Sequence, residues 1–125
     1  MLDDSALAEV EAAAVAYCVA LHEGDVAGLE ALFHPRANLY AAQNGALIEN
    51  SRQVFLDRAK ARGAMPGAPD YAIHAVRSEG PEMAHVTLSV ALPPRRFTDY
   101  LNFLKLDGRW VVISKVFRVA EGPEL

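Results

Sequence analysis

Residues Arg96–Phe117 read RFTDYLNFLKLDGRWVVISKVF, two apolar–polar runs joined by Asp107-Gly108. Asp-Gly between alternating runs predicts a tight hairpin, because a type I′ turn needs positive φ at both central residues. The spacing predicts one strand over Phe97–Leu106 and its partner over Arg109–Val119. Strands this long exceed the usual length of about five or six residues, so their sheet is expected to twist and curve.

Working back from the hairpin, Pro93-Pro94 separates it from an alternating run over Met83–Leu92. There Val86, Leu88, Val90 and Leu92 share one face, and His85, Thr87, Ser89 and Ala91 the other. Gly80-Pro81 marks a turn after a strand over Tyr71–Ser78, and Gly63–Pro69 reads as a loop. Ser51 offers an N-cap to a short helix ending near Arg62, with Val54, Phe55 and Ala59 apolar. Asn44-Gly45 is a second primed-turn signal, between short strands over Ala37–Ala42 and Ala46–Glu49. Asp25 caps a helix through about Phe33 that Pro35 stops. The first helix is predicted over Asp4–Glu23, where Leu7, Val10, Ala14, Tyr17, Cys18 and Leu21 recur on one face. Asp3, Asp4 and Ser5 are its N-cap candidates, and Gly24 suits its C′ position. The tail, Glu121–Leu125, is expected to fray.

The order is ααββαββββ over a single domain, residues 1–125. This is an α+β pattern, with a curved antiparallel sheet wrapped around the long first helix. Such a cone leaves a pocket between helix and sheet.

A chain of 125 residues, 52% hydrophobic, buries one core without staples. Its net charge of −4 and scattered basic residues argue against nucleic acid as a partner. The longest apolar run, Ala12–Leu21, is ten residues, half a membrane span, so no membrane partner is expected. The acidic start is unlike a secretory leader. Cys18 is the single cysteine, which excludes an internal disulfide and a thiolate metal cluster. A cytoplasmic location is the expectation. His22, His34, His74 and His85 show no metal-ligand spacing, and no Gly-rich phosphate loop occurs, so neither metal nor cofactor is expected.

This element order, with GDVAGLEALFHPRA at Gly24–Ala37 and RRFTDYLNFLKLDGRWVVISKVF at Arg95–Phe117, resembles the nuclear transport factor 2-like superfamily. Within that superfamily, which has the cystatin-like α+β shape, the chain looks most like the putative lumazine-binding branch, related to polyketide cyclase-like proteins. FTDYL before the turn and KVF near the end carry most of the likeness. The resemblance implies a conical fold, a pocket at its open end and a homodimer through the outer sheet face. Compared with the ketosteroid isomerases of the same superfamily, Tyr17 and Asp99 fall at the two oxyanion-hole positions. Their general base falls near Ala41, where no carboxylate stands within two residues. Losing such a base removes a factor of roughly 10² to 10⁴, which argues against isomerase activity by that route.

Three residues are candidates for acid–base chemistry: Asp99, Tyr17 and His34. Strand parity puts Asp99 among Phe97, Leu101 and Phe103, and an ionised carboxylate there is costly unless paired. It is either a structural ion pair or a polar group aimed at a ligand. Lys115 is its candidate partner if Val111, Ile113, Lys115 and Phe117 face inward, as the resemblance implies; facing outward it is an ordinary solvated lysine. Tyr17 is a core tyrosine or presents its hydroxyl to the pocket. His34 is placed at the C-terminal end of the second helix, near the pocket opening. The expected ligand-lining residues are Tyr17, Phe33, Tyr40, Phe55, Asp99, Leu101, Phe103, Ile113, Lys115 and Phe117. Three functions remain open. The first is binding of a small molecule. The second is a cyclase, isomerase or dehydratase. The third is a dimeric interaction module with a filled cone, its outer face carrying Thr87, Ser89, Tyr100, Asn102 and Trp110.

Overall fold

The turn at Asp107-Gly108 has φ of 50° and 76°, and Asn44-Gly45 has 53° and 77°, so both Gly-containing pairs adopt the left-handed geometry that closes a hairpin. In a computed structural model that describes residues 4–125, these turns join strands of one six-stranded sheet. The elements are α1 (Asp4–Glu23), α2 (Val26–Leu32), β1 (Phe33–Gln43), β2 (Ala46–Ser51), α3 (Arg52–Arg62), β3 (Tyr71–Glu79), β4 (Met83–Leu92), β5 (Arg95–Leu106) and β6 (Arg109–Glu121). The candidate cap Asp3 lies outside the described residues. Asp25 and Ser51 cap α2 and α3, accepting from the backbone N–H of Gly28 and Val54.

The sheet runs β2-β1-β6-β5-β4-β3. Every neighbouring pair is antiparallel except β1 and β6, which are parallel. The expectation of a wholly antiparallel sheet is corrected at that pair. Hairpin signals cannot report it, because the rest of the chain lies between the two strands.

The second helix also ends earlier than the pattern suggests. Phe33 is already extended, at φ −100° and ψ 129°, and Pro35 sits inside β1 rather than just after a helix. His34 is therefore a strand residue. The last residues are tied down rather than frayed. Arg95 donates to the carbonyls of Pro123 and Glu124 at 2.9 and 2.6 Å, and the Leu125 N–H donates to Gln43 at 2.8 Å.

Helix α1 lies on the concave face, against β3, β4 and β6. By length and composition it is apolar enough to cross a membrane, more so than its ten-residue run suggests. Its Val10, Ala14, Tyr17, Cys18 and Leu21 are all buried in the core beneath the sheet, as in the central helix of a small α+β domain.

Two register shifts meet at Ile113 of β6, one against β1 between Phe33 and Asn38 and one against β5 between Asn102 and Phe103; two others fall away from that row, between Arg96 and Phe97 of β5 and between Ile73 and Ala75 of β3. An extra residue on one strand bends it and raises its twist. The two shifts at Ile113 make a crease. On one side Phe33, Phe103, Trp110 and Val112 pack as closed core. On the other Leu39, Val90, Asp99 and Phe117 border a hollow.

Candidate functional site

Strand parity alone delivers Asp99 to the inner face. It lies between Phe97 and Leu101 on β5, opposite Leu88 of β4 and Phe117 of β6, and is 0% exposed. Its Oδ2 accepts a hydrogen bond from the Tyr17 hydroxyl of α1 at 2.5 Å and faces the Lys115 amine at 3.6 Å. Its Oδ1 is buried with no hydrogen-bond partner among the described residues. A buried carboxylate needs such partners, and the open acceptor leaves capacity for one more donor.

Lys115 reaches this position because of the bulge at Ile113. Strict alternation would group Val111 and Ile113 with Lys115. In the structure Phe103 pairs with Val112, Asn102 with Ser114, and Leu101 with Lys115. Trp110 and Val112 therefore share the inner face with Lys115 and Phe117, and Ile113 is the extra residue. The expected pocket role of Ile113 is corrected on this ground, as is the placement of Trp110 on the outer face. The Trp110 indole is buried and donates to Glu9 of α1 at 3.3 Å. The Lys115 amine lies over three aromatic rings, 5.4 Å from Tyr17, 4.9 Å from Phe55 and 4.8 Å from Phe117. Phe33 backs this wall, its ring 5.9 Å from Tyr17 and 4.9 Å from Phe55.

Burial sets the protonation chemistry. It pushes the Lys115 amine below its ordinary 10.5, against the opposing pull of Asp99. It lifts the Tyr17 phenol well above 10.0, and the neighbouring Asp99 charge lifts it further. The Cys18 thiol, next along α1, is pushed up to about 12 by burial, with Asp99 adding to the effect. A thiol held so high is not a nucleophile at neutral pH.

The group forms the floor of a hollow of about 680 Å³. Leu21, Leu39, Ile48, Phe55, Val90 and Phe117 are among its apolar walls, and Arg58, Arg62, Arg95, Lys115 and Asp99 its charged residues. Arg58, Pro93, Pro94 and Leu125 are exposed, whereas Asp99 and Lys115 are buried, so the hollow runs from a basic rim to a polar floor. Arg62 donates to the Leu21 carbonyl in the last turn of α1 at 2.7 Å, and its Nε is buried without a partner among the described residues. Neither Arg58 nor Arg62 stands out by residue type alone. The signal for Arg62 is spacing: Phe55, Ala59 and Arg62 recur at four and three along α3, which puts the arginine on the buried side.

Of the ten residues expected to line a pocket, Phe55, Asp99, Lys115 and Phe117 line this hollow, and Tyr17 lies behind it, bonded to Asp99. Leu101 and Phe103 face inward but are sealed in the core. Tyr40 is on the opposite face of the sheet, accepting from Asn38 at 3.3 Å. Its neighbour Leu39 takes the inner position, since Ala37, Leu39 and Ala41 are the buried set on β1. Ala41, where the resemblance places an isomerase's base, is a buried methyl.

His34 is elsewhere. Its Nδ1 accepts from the Arg36 N–H at 3.0 Å, and it borders a second hollow with Phe33, Glu30, Arg52 and Arg109. That hollow has a similar volume, about 680 Å³, but mostly exposed walls. Its arginines are engaged by carbonyls at the end of α2: Arg52 with Glu30 and Phe33, Arg109 with Ala31. None of the ionisable residues lining that hollow is buried, whereas Asp99 and Lys115 of the first are, and the chemistry therefore centres on Asp99.

Comparison with known proteins agrees with this architecture. The profile of a family described as putative lumazine-binding matches residues 5–118. An aldolase, FrzH, from a Cladobotryum species is 29% identical over 111 residues, covering 83% of this chain and 85% of that protein. The crystal structure of a nuclear transport factor 2-like protein of unknown function from Silicibacter pomeroyi superposes with a TM-score of 0.86 at 28% identity, covering 95% of this chain and 99% of that one. A nuclear transport factor 2-like protein of unknown function from Shewanella baltica has a TM-score of 0.87 at 18% identity, covering 98% and 99%, and shows the shared fold.

Proposed function

The chain belongs to the putative lumazine-binding family of the nuclear transport factor 2-like superfamily, and from that premise we propose that it binds a small organic molecule in the Asp99 hollow. The ligand has an apolar body against Leu39, Ile48, Val90 and Phe117 and an oxygen-bearing head at the floor. The observation that carries this reading is the composition of the floor and rim: one carboxylate with an unused acceptor oxygen, one buried amine and three arginines around an otherwise apolar space. Four cationic side chains against one anionic side chain favour a carbonyl or anionic ligand over a cationic one. The open hollow favours ligand binding over a cone filled by its own side chains.

A second reading is enzymatic. The aldolase relative acts in a class of chemistry that needs a carbonyl polarised and a proton moved. Tyr17, Asp99 and Lys115 offer a phenol, a carboxylate and an amine within contact of one another.

We also propose that the outer sheet face pairs with a second copy of the chain. Tyr100 and Val116 lie opposite each other there, and both are exposed.

The test of the binding reading is methyl-detected NMR with a fragment set of aromatic aldehydes, ketones, alcohols and carboxylates. Shifts should cluster on Leu39, Ile48 and Val90. Shifts confined to Leu106 and Val111 beside the second hollow, or none at all, would overturn it.

A further inference from the structure

We propose that Lys115 is a covalent attachment point for carbonyl compounds, forming an imine with an aldehyde or ketone that enters the hollow. The inference rests on the ligand-binding reading and deepens it by naming the substrate class and the bond.

Four observations support it. The amine is the terminus of a buried side chain that borders a hollow of about 680 Å³ open to solvent at its rim. Its surroundings are the ring faces of Tyr17, Phe55 and Phe117, which shed water from the reacting nitrogen. Burial works against its charged form, the condition under which a lysine becomes a nucleophile. Finally, Asp99 stands 3.6 Å away, with a second oxygen that has no hydrogen-bond partner among the described residues. A proton acceptor beside a masked amine is what imine formation requires.

The step balances without an outside reactant. Asp99 takes one proton from the Lys115 ammonium, freeing the lone pair on Nζ. That pair attacks the carbonyl carbon, a C–N bond forms, and the C=O π electrons move to oxygen. The oxygen takes a second proton from nitrogen to give the carbinolamine. Asp99 returns its proton to that oxygen, the C–O bond breaks, and water leaves. The product is a protonated imine, so that RNH₃⁺ and O=CR₂ give RNH⁺=CR₂ and H₂O. The cation that results stays beside the same carboxylate that balanced the ammonium. Tyr17 holds Asp99 in place through its 2.5 Å bond and is a positioning residue in this scheme.

The chain supplies its own controls. It has three lysines: Lys60 is exposed, Lys105 half-buried and Lys115 buried. The experiment incubates the intact protein with benzaldehyde and sodium cyanoborohydride, then maps the reduced adduct by mass spectrometry. In parallel, benzyl alcohol, which has the same ring but cannot form an imine, is titrated against the Leu39, Ile48 and Val90 methyls. The expected result is an adduct on Lys115 at least tenfold faster than on Lys60 or Lys105, lost in Lys115→Arg. An adduct spread over Lys60 and Lys105 while benzyl alcohol still enters the hollow would overturn the imine and leave the binding site standing. Neither adduct at Lys115 nor binding of benzyl alcohol would overturn both.

Discussion

Lys115 meets Asp99 on the diagonal of the β5–β6 ladder. Asp99 is paired with Phe117 and Lys115 with Leu101, yet the amine reaches back to stand 3.6 Å from Asp99 Oδ2. Diagonal neighbours across an antiparallel pair lie within reach of long side chains. Both groups are almost wholly buried, at 0% and 7% exposure, so each depends on the other for its charge.

Removing one member should therefore cost more than removing both. Asp99→Leu leaves the Lys115 ammonium facing only rings, and Lys115→Met leaves the carboxylate with Tyr17 alone. Each single change is expected to destabilise by about 3–5 kcal/mol. The double variant should recover a substantial part of that loss. Urea titrations of the four proteins close the cycle, and additive losses would show that the two charges are not coupled. Tyr17→Phe should cost about 1.5–3 kcal/mol, as expected for a hydrogen bond to a charged acceptor.

The Cys18 thiol should weaken the fold in alkaline solution from about pH 9 upward. Cys18 is raised from 9.0 to about 12 in the folded protein. A group raised in the native state contributes stability that is complete below its unfolded value and is lost as pH rises through the folded one. For Cys18 that window runs from 9.0 to about 12. The full interval corresponds to about 4 kcal/mol. Tyr17, also raised, adds a loss of the same sign above 10.0. Relative to Cys18→Ala, the wild-type denaturant midpoint should fall as pH rises across this range, with Lys115, whose amine is lowered, acting in the opposite sense in both proteins. Parallel slopes for the two proteins would show that the thiol is not responsible.

Gly24 and Gly45 separate two meanings of a glycine. Both have positive φ, at 63° and 77°. A Cβ on Gly24 would stand 2.6 Å from the Gly63 carbonyl carbon, whereas one on Gly45 meets nothing within 4 Å. Gly45→Ala should cost only the left-handed backbone term, about 1–2 kcal/mol. Gly24→Ala must also push apart α1 and the start of the 63–70 loop, which Met65 and Gly67 tie to His22. It should lower the melting temperature well beyond Gly45→Ala, and equal losses would count against the close approach.

A second copy on the outer face is checked by light scattering. The expected mass is twice the chain's 13.6 kDa, reduced to the monomer value by Val116→Asp beside Tyr100. A monomeric wild type would remove the proposed interface.

The elements were legible where local chemistry decides. Asp-Gly, Asn-Gly, the Asp25 and Ser51 caps and the alternation through β4 and β5 each mark their own structure within a few residues. The buried pair was half legible. The Asp99 facing follows from unbroken alternation, but that of Lys115 crosses a bulge, and no residue at Ile113 announces one. Glycine is absent there, so the extra residue is set by the neighbouring strands rather than by its own preference. The outward facing of Tyr40 is hard to read because its inward neighbours on β1 include the small residues Ala37 and Ala41, which mask the parity of Leu39. Arg58 is unreadable for a different reason: an exposed arginine on a short helix looks the same whether it borders a cavity or open solvent.

The crease at Ile113, Asn102–Phe103 and Phe33–Asn38 divides the sheet by task. Phe103, Trp110 and Val112 on one side pack as core. On the other the part-buried Ile48, Leu92 and Phe97 border empty space, so a larger or smaller side chain at one of them changes the shape of the hollow without overpacking a core. Such an arrangement makes recognition evolvable at low cost to folding. Descendants of one ancestral cone can exchange ligands by substitutions at such half-buried positions, while the buried core keeps the chain folded.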